Sequence, residues 1–158
     1  EGMRLVNENL VRAFDHGDDL EARAHMMSAA AMGAIAFQKG LGAIHALSHP
    51  VGANYNTHHG TTNAVVMPVV LRYNRSAIEE RIGRLAAYLG VGADFDSFYA
   101  HVMELRARVG IPDRLSEMGV TDERVEELAT QAVDDPCAGA NPIPLTVEAA
   151  VKLYGECI

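Results

Sequence analysis

Hydrophobic residues recur along most of this chain at the three- and four-residue spacing of one face of an α-helix. This spacing, with short breaks rich in Gly, Pro and Asp, predicts seven or eight helices. They cover residues 3–14, 20–37, 43–49, 59–73, 77–89, 94–109, 121–133 and 145–154. Strand-type alternation of apolar and polar residues is absent. The pattern therefore predicts an all-α domain, a multi-helix bundle without a sheet.

Several predicted helix boundaries depend on single residues. Pro50 lacks the amide hydrogen that a helix interior uses, so it should kink the helix that begins near residue 43 or end it just after His49. Asn74 or Ser76 should cap a helix separate from that of residues 59–73. The other predicted caps are Thr61, Thr62 or Asn63, then Asp94 or Asp96, then Thr121. Small residues nearly all round the helix of residues 20–37 predict that it is buried.

The length and composition fit one globular domain. The chain has 158 residues, of which 49% are hydrophobic, enough for a sizeable core. A net charge of −8 argues against a nucleic-acid surface or an anionic membrane surface as partner, and no apolar run is long enough to span a bilayer. Two cysteines form no disulfide framework, so a reducing cytoplasm is expected. Glu1 begins almost inside a helix, which suggests a piece of a longer chain.

The candidate chemistry is concentrated in residues 42–74, which hold four of the seven histidines: His45, His49, His58 and His59. His45 and His49 are four residues apart and so share a helix face. His58 and His59 follow a turn rich in Gly and Asn. A single histidine in such a place is usually an ordinary polar residue, but this concentration favours a site. Neutral imidazole suits Fe, Zn, Ni and Cu, and the spacing alone leaves the chemistry open.

A zinc-protease interpretation of the same residues fails. The run from His45 to Tyr55 superficially follows the pattern H-E-x-x-H-x-x-G-x-x-H. Ala46 stands where the general-base Glu is needed, and Tyr55 stands where the third ligand is needed. Without that carboxylate no side chain of the motif activates the water, so this function is excluded.

Residues 41–68 closely resemble the signature of the iron-containing (group III) alcohol dehydrogenases. That signature is G-L-x-x-x-H-A-L-A-H-P-L-G, then a loop, then H-G-x-x-N-A-x-x-L-P. Residues 19–23 and 36–39 and the pair Asn141-Pro142 also look like the family, although Ile143 replaces a usual Arg. The resemblance implies that residues 1–158 are the C-terminal helical metal-binding domain of an iron-type, dehydroquinate-synthase-like alcohol dehydrogenase. Its N-terminal NAD(P)-binding domain would be absent from this chain.

The resemblance also implies roles for three histidines. His45 and His59 would be metal ligands, and His49 would lie beside the metal and relay a proton near substrate and nicotinamide. His58 stands where a proline is common and inherits no role. The family metal, Fe(II) or Zn(II), takes one Asp and three His, and the D-x-x-x-H motif that supplies two of them is absent here. We therefore expect His45 and His59 to lie close together and to hold metal weakly or not at all.

By this resemblance the parent enzyme would transfer hydride between an alcohol or aldehyde and NAD or NADP, and would be a homo-oligomer. The fragment alone would be inactive. The alternatives are a maleylacetate-reductase-like enzyme and a stand-alone, non-catalytic helical domain derived from the same family. An unrelated helical metal-storage or sensor protein is disfavoured by the signature. The sequence that precedes Glu1 in the gene distinguishes an enzyme from a stand-alone domain.

Overall fold

A computed structural model describes all residues, 1–158, as helices joined by short turns, with no strand. The prediction of an all-α fold with seven or eight helices is confirmed. The seven α-helices are α1 (Gly2–Asp15), α2 (Leu20–Ala36), α3 (Ala43–Tyr55), α4 (His59–Leu89), α5 (Phe95–Arg108), α6 (Val125–Asp134) and α7 (Val147–Cys157). Short 3-10 turns cover Phe37–Lys39, Leu115–Met118, Asp122–Arg124 and Ala138–Ala140. None of the helices is both long enough and apolar enough to cross a membrane.

The chain divides into two compact units, and the first comprises residues 1–40 and 80–109. In it, α1 packs along α2 so closely that a Cβ added at Gly2 would lie 3.2 Å from the Cβ of Met32. The prediction that α2 is a buried helix is wrong, because only Ala22 and Ala29 are buried. Within this unit α1 is the principal neighbour of α2, so only the side of α2 that faces α1 is buried.

The second unit comprises residues 41–79 and 110–158 and contains the main core. Helices α3, α6 and α7 and the first part of α4 bury their apolar faces together. Tyr154 is fully buried, and its hydroxyl donates a hydrogen bond to the Leu47 carbonyl at 2.6 Å. That bond ties α7 to α3. Because the buried face of α3 includes Ala46 and Leu47, His45 and His49 are left at the edge of the core.

The predicted helix end just after His49 is not observed. Helix α3 continues through Pro50 to Tyr55. Pro50 is buried against the core, and packing of this kind holds a helix together despite the missing amide hydrogen. The helix ends instead at Asn56, which adopts a left-handed conformation with φ of 53° and donates its N–H to the Gly52 carbonyl. Asn tolerates this conformation better than most residues.

The predicted break at Asn74 or Ser76 is wrong, because α4 is one helix of 31 residues. Asn74 is buried and exchanges two hydrogen bonds with Asn141, at 2.9 and 2.8 Å. Its side chain is therefore used in tertiary structure rather than in capping. Asn141 also accepts the N–H of Ala43 at 3.1 Å, which fixes the start of α3.

The remaining boundaries differ from the predictions by a few residues. Asp94, one of the two predicted caps, does cap α5. Its side chain accepts a hydrogen bond from the N–H of Ser97. Thr121 makes no capping bond, and α6 begins at Val125 after a 3-10 turn. Thr146 caps α7, which begins at Val147.

Candidate metal centre

Three of the predicted histidines form a cluster in the second unit. His45 and His49 are one turn apart on α3, and His59 is the first residue of α4. The ring centroids lie 5.8 Å apart for His45 and His49, 5.3 Å for His45 and His59, and 5.4 Å for His49 and His59. The left-handed turn at Asn56 reverses the chain between the two helices. The predicted proximity of His45 and His59 is confirmed, while their role as ligands stays a prediction.

Asn63 connects two of these rings. Its Nδ2 atom lies 3.3 Å from Nε2 of His45 and 3.0 Å from Nε2 of His59. Because the amide NH2 group donates and does not accept, both Nε2 atoms act as acceptors with their lone pairs converging on one point. The Asn63 Oδ1 atom accepts a hydrogen bond from the Ser48 hydroxyl, which fixes the amide orientation. Two imidazole nitrogens that converge in this way can serve as two of the ligands of a divalent metal ion.

The sequence prediction for Asn63 was incomplete, because it named this residue only as a possible helix cap. None of the three predicted caps fills that role. Instead, Nδ1 of His58 accepts the N–H of Thr61 at 3.3 Å at the start of α4. His58 is exposed and lies outside the cluster. The signal that could have identified Asn63 is its helical spacing of four residues from His59.

The surroundings of His45 favour its neutral imidazole. The pKa of His45 is lowered from its ordinary value, first by burial and then by the neighbouring His59 and His49. Burial disfavours the charged form, and a positive charge on one ring repels a proton from the next. A neutral imidazole is the form that binds metal, so the local environment suits that chemistry.

Asp135 provides the negative charge beside the cluster. Its Oδ2 atom lies 2.8 Å from Nδ1 of His49, and its Oδ1 atom accepts the N–H of Cys137 at 2.8 Å. Burial alone would raise the pKa of Asp135, but the hydrogen bonds from His49 and Cys137 together lower it below the ordinary value. Asp135 is therefore a carboxylate at neutral pH. A carboxylate only accepts, so this hydrogen bond requires the proton on Nδ1 of His49, and in the neutral ring Nε2 would then be the acceptor nitrogen.

Sequence analysis did not identify Asp135 or Cys137 as site residues. They are 86 and 88 residues beyond His49, so no local spacing connects them. Their position in the one Pro/Gly-rich loop of the chain was the only signal available. Burial, and secondly the hydrogen bond to Asp135, raise the pKa of the Cys137 thiol to about 11.

Comparisons with known proteins show which family the chain belongs to. The sequence profile described as Fe-containing alcohol dehydrogenase family, C-terminal, matches residues 1–158. The chain belongs to the iron-containing alcohol dehydrogenase family. The predicted resemblance is thereby confirmed. The fold also matches, because a crystal structure of 1,3-propanediol oxidoreductase superposes with a TM-score of 0.94 at 30% identity, over 99% of this chain and 43% of that one.

Curated members of the family are similar in sequence over most of this chain. The 4-hydroxybutyrate dehydrogenase of Cupriavidus necator is 43% identical over 153 residues, which cover 90% of this chain and 39% of that protein. The NAD-dependent methanol dehydrogenase of Bacillus methanolicus is 37% identical over 166 residues, which cover 100% of this chain and 44% of that protein. The chain therefore spans about two fifths of the length of these relatives.

Proposed function

We propose that this chain is the metal-binding helical domain of an NAD(P)-dependent alcohol dehydrogenase, which transfers hydride between an alcohol or aldehyde and a nicotinamide cofactor. The observation that carries the proposal is the convergence of the His45 and His59 Nε2 atoms on one amide, 3.3 and 3.0 Å away. Family membership supports the reaction class. Two relatives are named for dehydrogenation of methanol and of 4-hydroxybutyrate, which are both alcohols.

His45 and His59 fit a resident divalent ion, either Fe(II) or Zn(II). Their Nε2 atoms are acceptors held close together, and the lowered pKa of His45 keeps that ring unprotonated at neutral pH. When bound, such an ion favours the alkoxide form of an alcohol and so prepares its carbon to lose hydride. Two imidazoles alone leave most of the coordination sphere to water, so we expect this chain by itself to hold the ion weakly.

His49 is the proposed proton relay. Asp135 holds the proton of His49 on Nδ1, so Nε2 can accept the hydroxyl proton of the substrate. The Asp135 carboxylate then stabilises the imidazolium that forms, as an orienting acid does for a general base. The His49 side chain is 38% exposed, so the proton can pass on to water. Asp135 acts here as a positioning residue, because it reaches the substrate only through His49.

The nicotinamide site belongs, in this proposal, to a separate dinucleotide-binding domain. Residues 1–158 contain no strand and hence no βαβ unit of the kind that holds the pyrophosphate of NAD. The helical domain would then supply the metal ligands and the proton relay. The dinucleotide-binding domain would supply the hydride acceptor.

A domain exchange tests the proposal. The chain would replace the matching C-terminal 44% of the Bacillus methanolicus methanol dehydrogenase. We expect the folded chimera to retain metal and to reduce NAD when short alcohols are added, whereas the isolated chain shows no turnover. His45→Ala or His59→Ala should remove the metal, and His49→Ala should leave it bound while kcat falls. A folded, metal-loaded chimera without turnover on any alcohol would contradict the proposal, as would metal loss in His49→Ala.

A further inference from the structure

A second group of metal-ligand atoms includes the His49 ring together with Asp135 and Cys137. A ring nitrogen of His49, a carboxylate oxygen of Asp135 and Sγ of Cys137 all lie within 4.8 Å of one another, and Nδ1 of His49 is 2.8 Å from Oδ2 of Asp135. Imidazole, carboxylate and thiolate are the three ligand types that proteins offer to Zn(II). Metal sites built only from nitrogen and oxygen ligands contain no thiolate. A thiolate ligand makes a site prefer softer metal ions. The group therefore differs in chemistry from the pair formed by His45 and His59.

The fold holds these three residues in place. His49 is on α3, while Asp135 and Cys137 follow the end of α6, and α3 packs directly on α6 in the second unit. The Cys137 N–H donates to Asp135, which fixes the two side chains in one turn of backbone. The hydrogen bond from His49 to the other carboxylate oxygen closes the triangle. The fold thus keeps the three residues near one another before any ion arrives.

The spacing is close to what a tetrahedral ion needs. Bonds of about 2.0–2.3 Å to nitrogen, oxygen and sulfur place neighbouring ligand atoms about 3.3–3.8 Å apart. On ion binding, the 2.8 Å distance between Nδ1 of His49 and Oδ2 of Asp135 must increase slightly. Any distance in the group near the 4.8 Å limit must decrease. The exposed edge of His49 gives an ion access from solvent and leaves room for water as a fourth ligand.

We propose that His49, Asp135 and Cys137 form a second metal site, which takes a thiophilic divalent ion such as Zn(II) or Cd(II). Binding forms bonds from the ion to Nδ1, Sγ and a carboxylate oxygen. The thiol loses its proton to solvent. The neutral imidazole keeps one proton, which moves from Nδ1 to Nε2. One proton is therefore released for each ion bound. Nε2 changes from acceptor to donor. If the proposed function is also correct, an ion here blocks the proton relay and inhibits the enzyme.

Cadmium and cobalt titrations of the purified, reduced chain test the site without any activity assay. We expect one equivalent of ion to produce a thiolate-to-metal charge-transfer absorption band. Cys137→Ser should abolish the band, and Cys137→Ala provides a second variant if the first does not fold. The matched control is Cys157→Ala, because Cys157 is the only other thiol and is buried in α7. This control should retain the band. Asp135→Asn should weaken Cd(II) binding at least about 10-fold.

The same titration separates this site from the one formed by His45 and His59. The His45→Ala/His59→Ala double variant should keep the charge-transfer band with unchanged stoichiometry. No band in the folded wild-type chain at saturating Cd(II) would overturn the proposal. So would a band that persists in both Cys137 variants, or one that disappears in the double histidine variant. An inactive chimera with a normal Cd(II) band would count against the proposed function and leave the second site intact.

Discussion

At the scale of single residues, the site depends on side chains that fix the orientation of the histidines. Asn63 directs the Nε2 atoms of His45 and His59 toward one point, and Asp135 fixes the tautomer of His49. Both partners act through hydrogen bonds of good geometry to otherwise mobile rings. The orientation of the imidazoles is therefore set by an amide and a carboxylate.

The convergence on Asn63 leads to a gain-of-function prediction. Asn63→Asp places a carboxylate oxygen about where Nδ2 lies now, so the chain alone would offer three ligands and a compensating negative charge. We expect Zn(II) affinity, measured by calorimetric titration, to rise at least about 10-fold. The control is Asn63→Asp combined with His59→Ala, which removes one imidazole and should lose the gain. Unchanged affinity in the single variant would show that the two Nε2 atoms do not share one ion.

The pair of Asp135 and His49 should contribute to stability in a pH-dependent way. The folded pKa of Asp135 lies below its ordinary value of 3.8, so the folded chain binds this proton more weakly than the unfolded chain does. The stabilisation is therefore complete above about pH 4 and is lost as the pH falls through the folded pKa. Asp135→Asn should lower the free energy of unfolding by about 1–2 kcal/mol at pH 7. Urea unfolding should show this difference shrinking toward pH 3, and a constant difference would contradict the assignment.

At the scale of elements, α4 is held as one helix by a contact in its middle. Asn74 and Asn141 satisfy each other through two amide hydrogen bonds, and Asn141 also holds the first N–H of α3. The contact therefore links the long helix to the helix that carries His45 and His49. Breaking this pair removes one of the two hydrogen bonds that each amide atom of Asn141 makes, because Oδ1 also accepts from Ala43 and Nδ2 also donates to Ile143.

Asn74→Ala tests whether Asn74 serves tertiary structure or caps a helix. We expect the free energy of unfolding to fall by about 1–3 kcal/mol, since Asn141 loses its two hydrogen bonds to Asn74. Far-UV circular dichroism should show unchanged or slightly greater helicity, because Ala is the better helix former. Ser76→Ala is the control and should change neither quantity, since Ser76 is exposed. A loss of helicity in Asn74→Ala would instead support the capping role that the sequence predicted.

At the scale of the whole molecule, exposed apolar side chains are concentrated on α2. Leu20, Met27 and Ile35 are 79%, 75% and 73% exposed, and their spacings of seven and eight residues keep them toward one side of the helix. A surface of this kind usually finds a partner in the assembled protein. It supports the expectation that the protein is a homo-oligomer.

Light scattering after size-exclusion chromatography checks this expectation. We expect the wild-type chain to run as a dimer or larger, and Met27→Glu combined with Ile35→Glu to shift it toward monomer. Phe14→Glu is the matched control, because Phe14 is an exposed apolar residue on α1. It should leave the assembly unchanged. A monomeric wild-type chain at micromolar concentration would contradict the expectation.

The sequence by itself determined the all-α fold, the position of most helices and the pairing of His45 with His49. These follow from local spacing, because helical periodicity places residues four apart on one face. The histidine signature also indicated the family before any comparison. Periodicity and signature are properties of neighbouring residues, and so a single sequence reveals them.

Only the tertiary structure decided which side chains control the histidines and where two helices end. The bond between Asp135 and His49 joins residues 86 positions apart, and that between Asn74 and Asn141 joins residues 67 apart. Such contacts depend on how the second unit packs its core, which no local pattern encodes. The same packing overrides the helix-breaking tendency of Pro50 and the capping tendency of Asn74. Local preferences are worth about 1–3 kcal/mol, and burial in a shared core outweighs them.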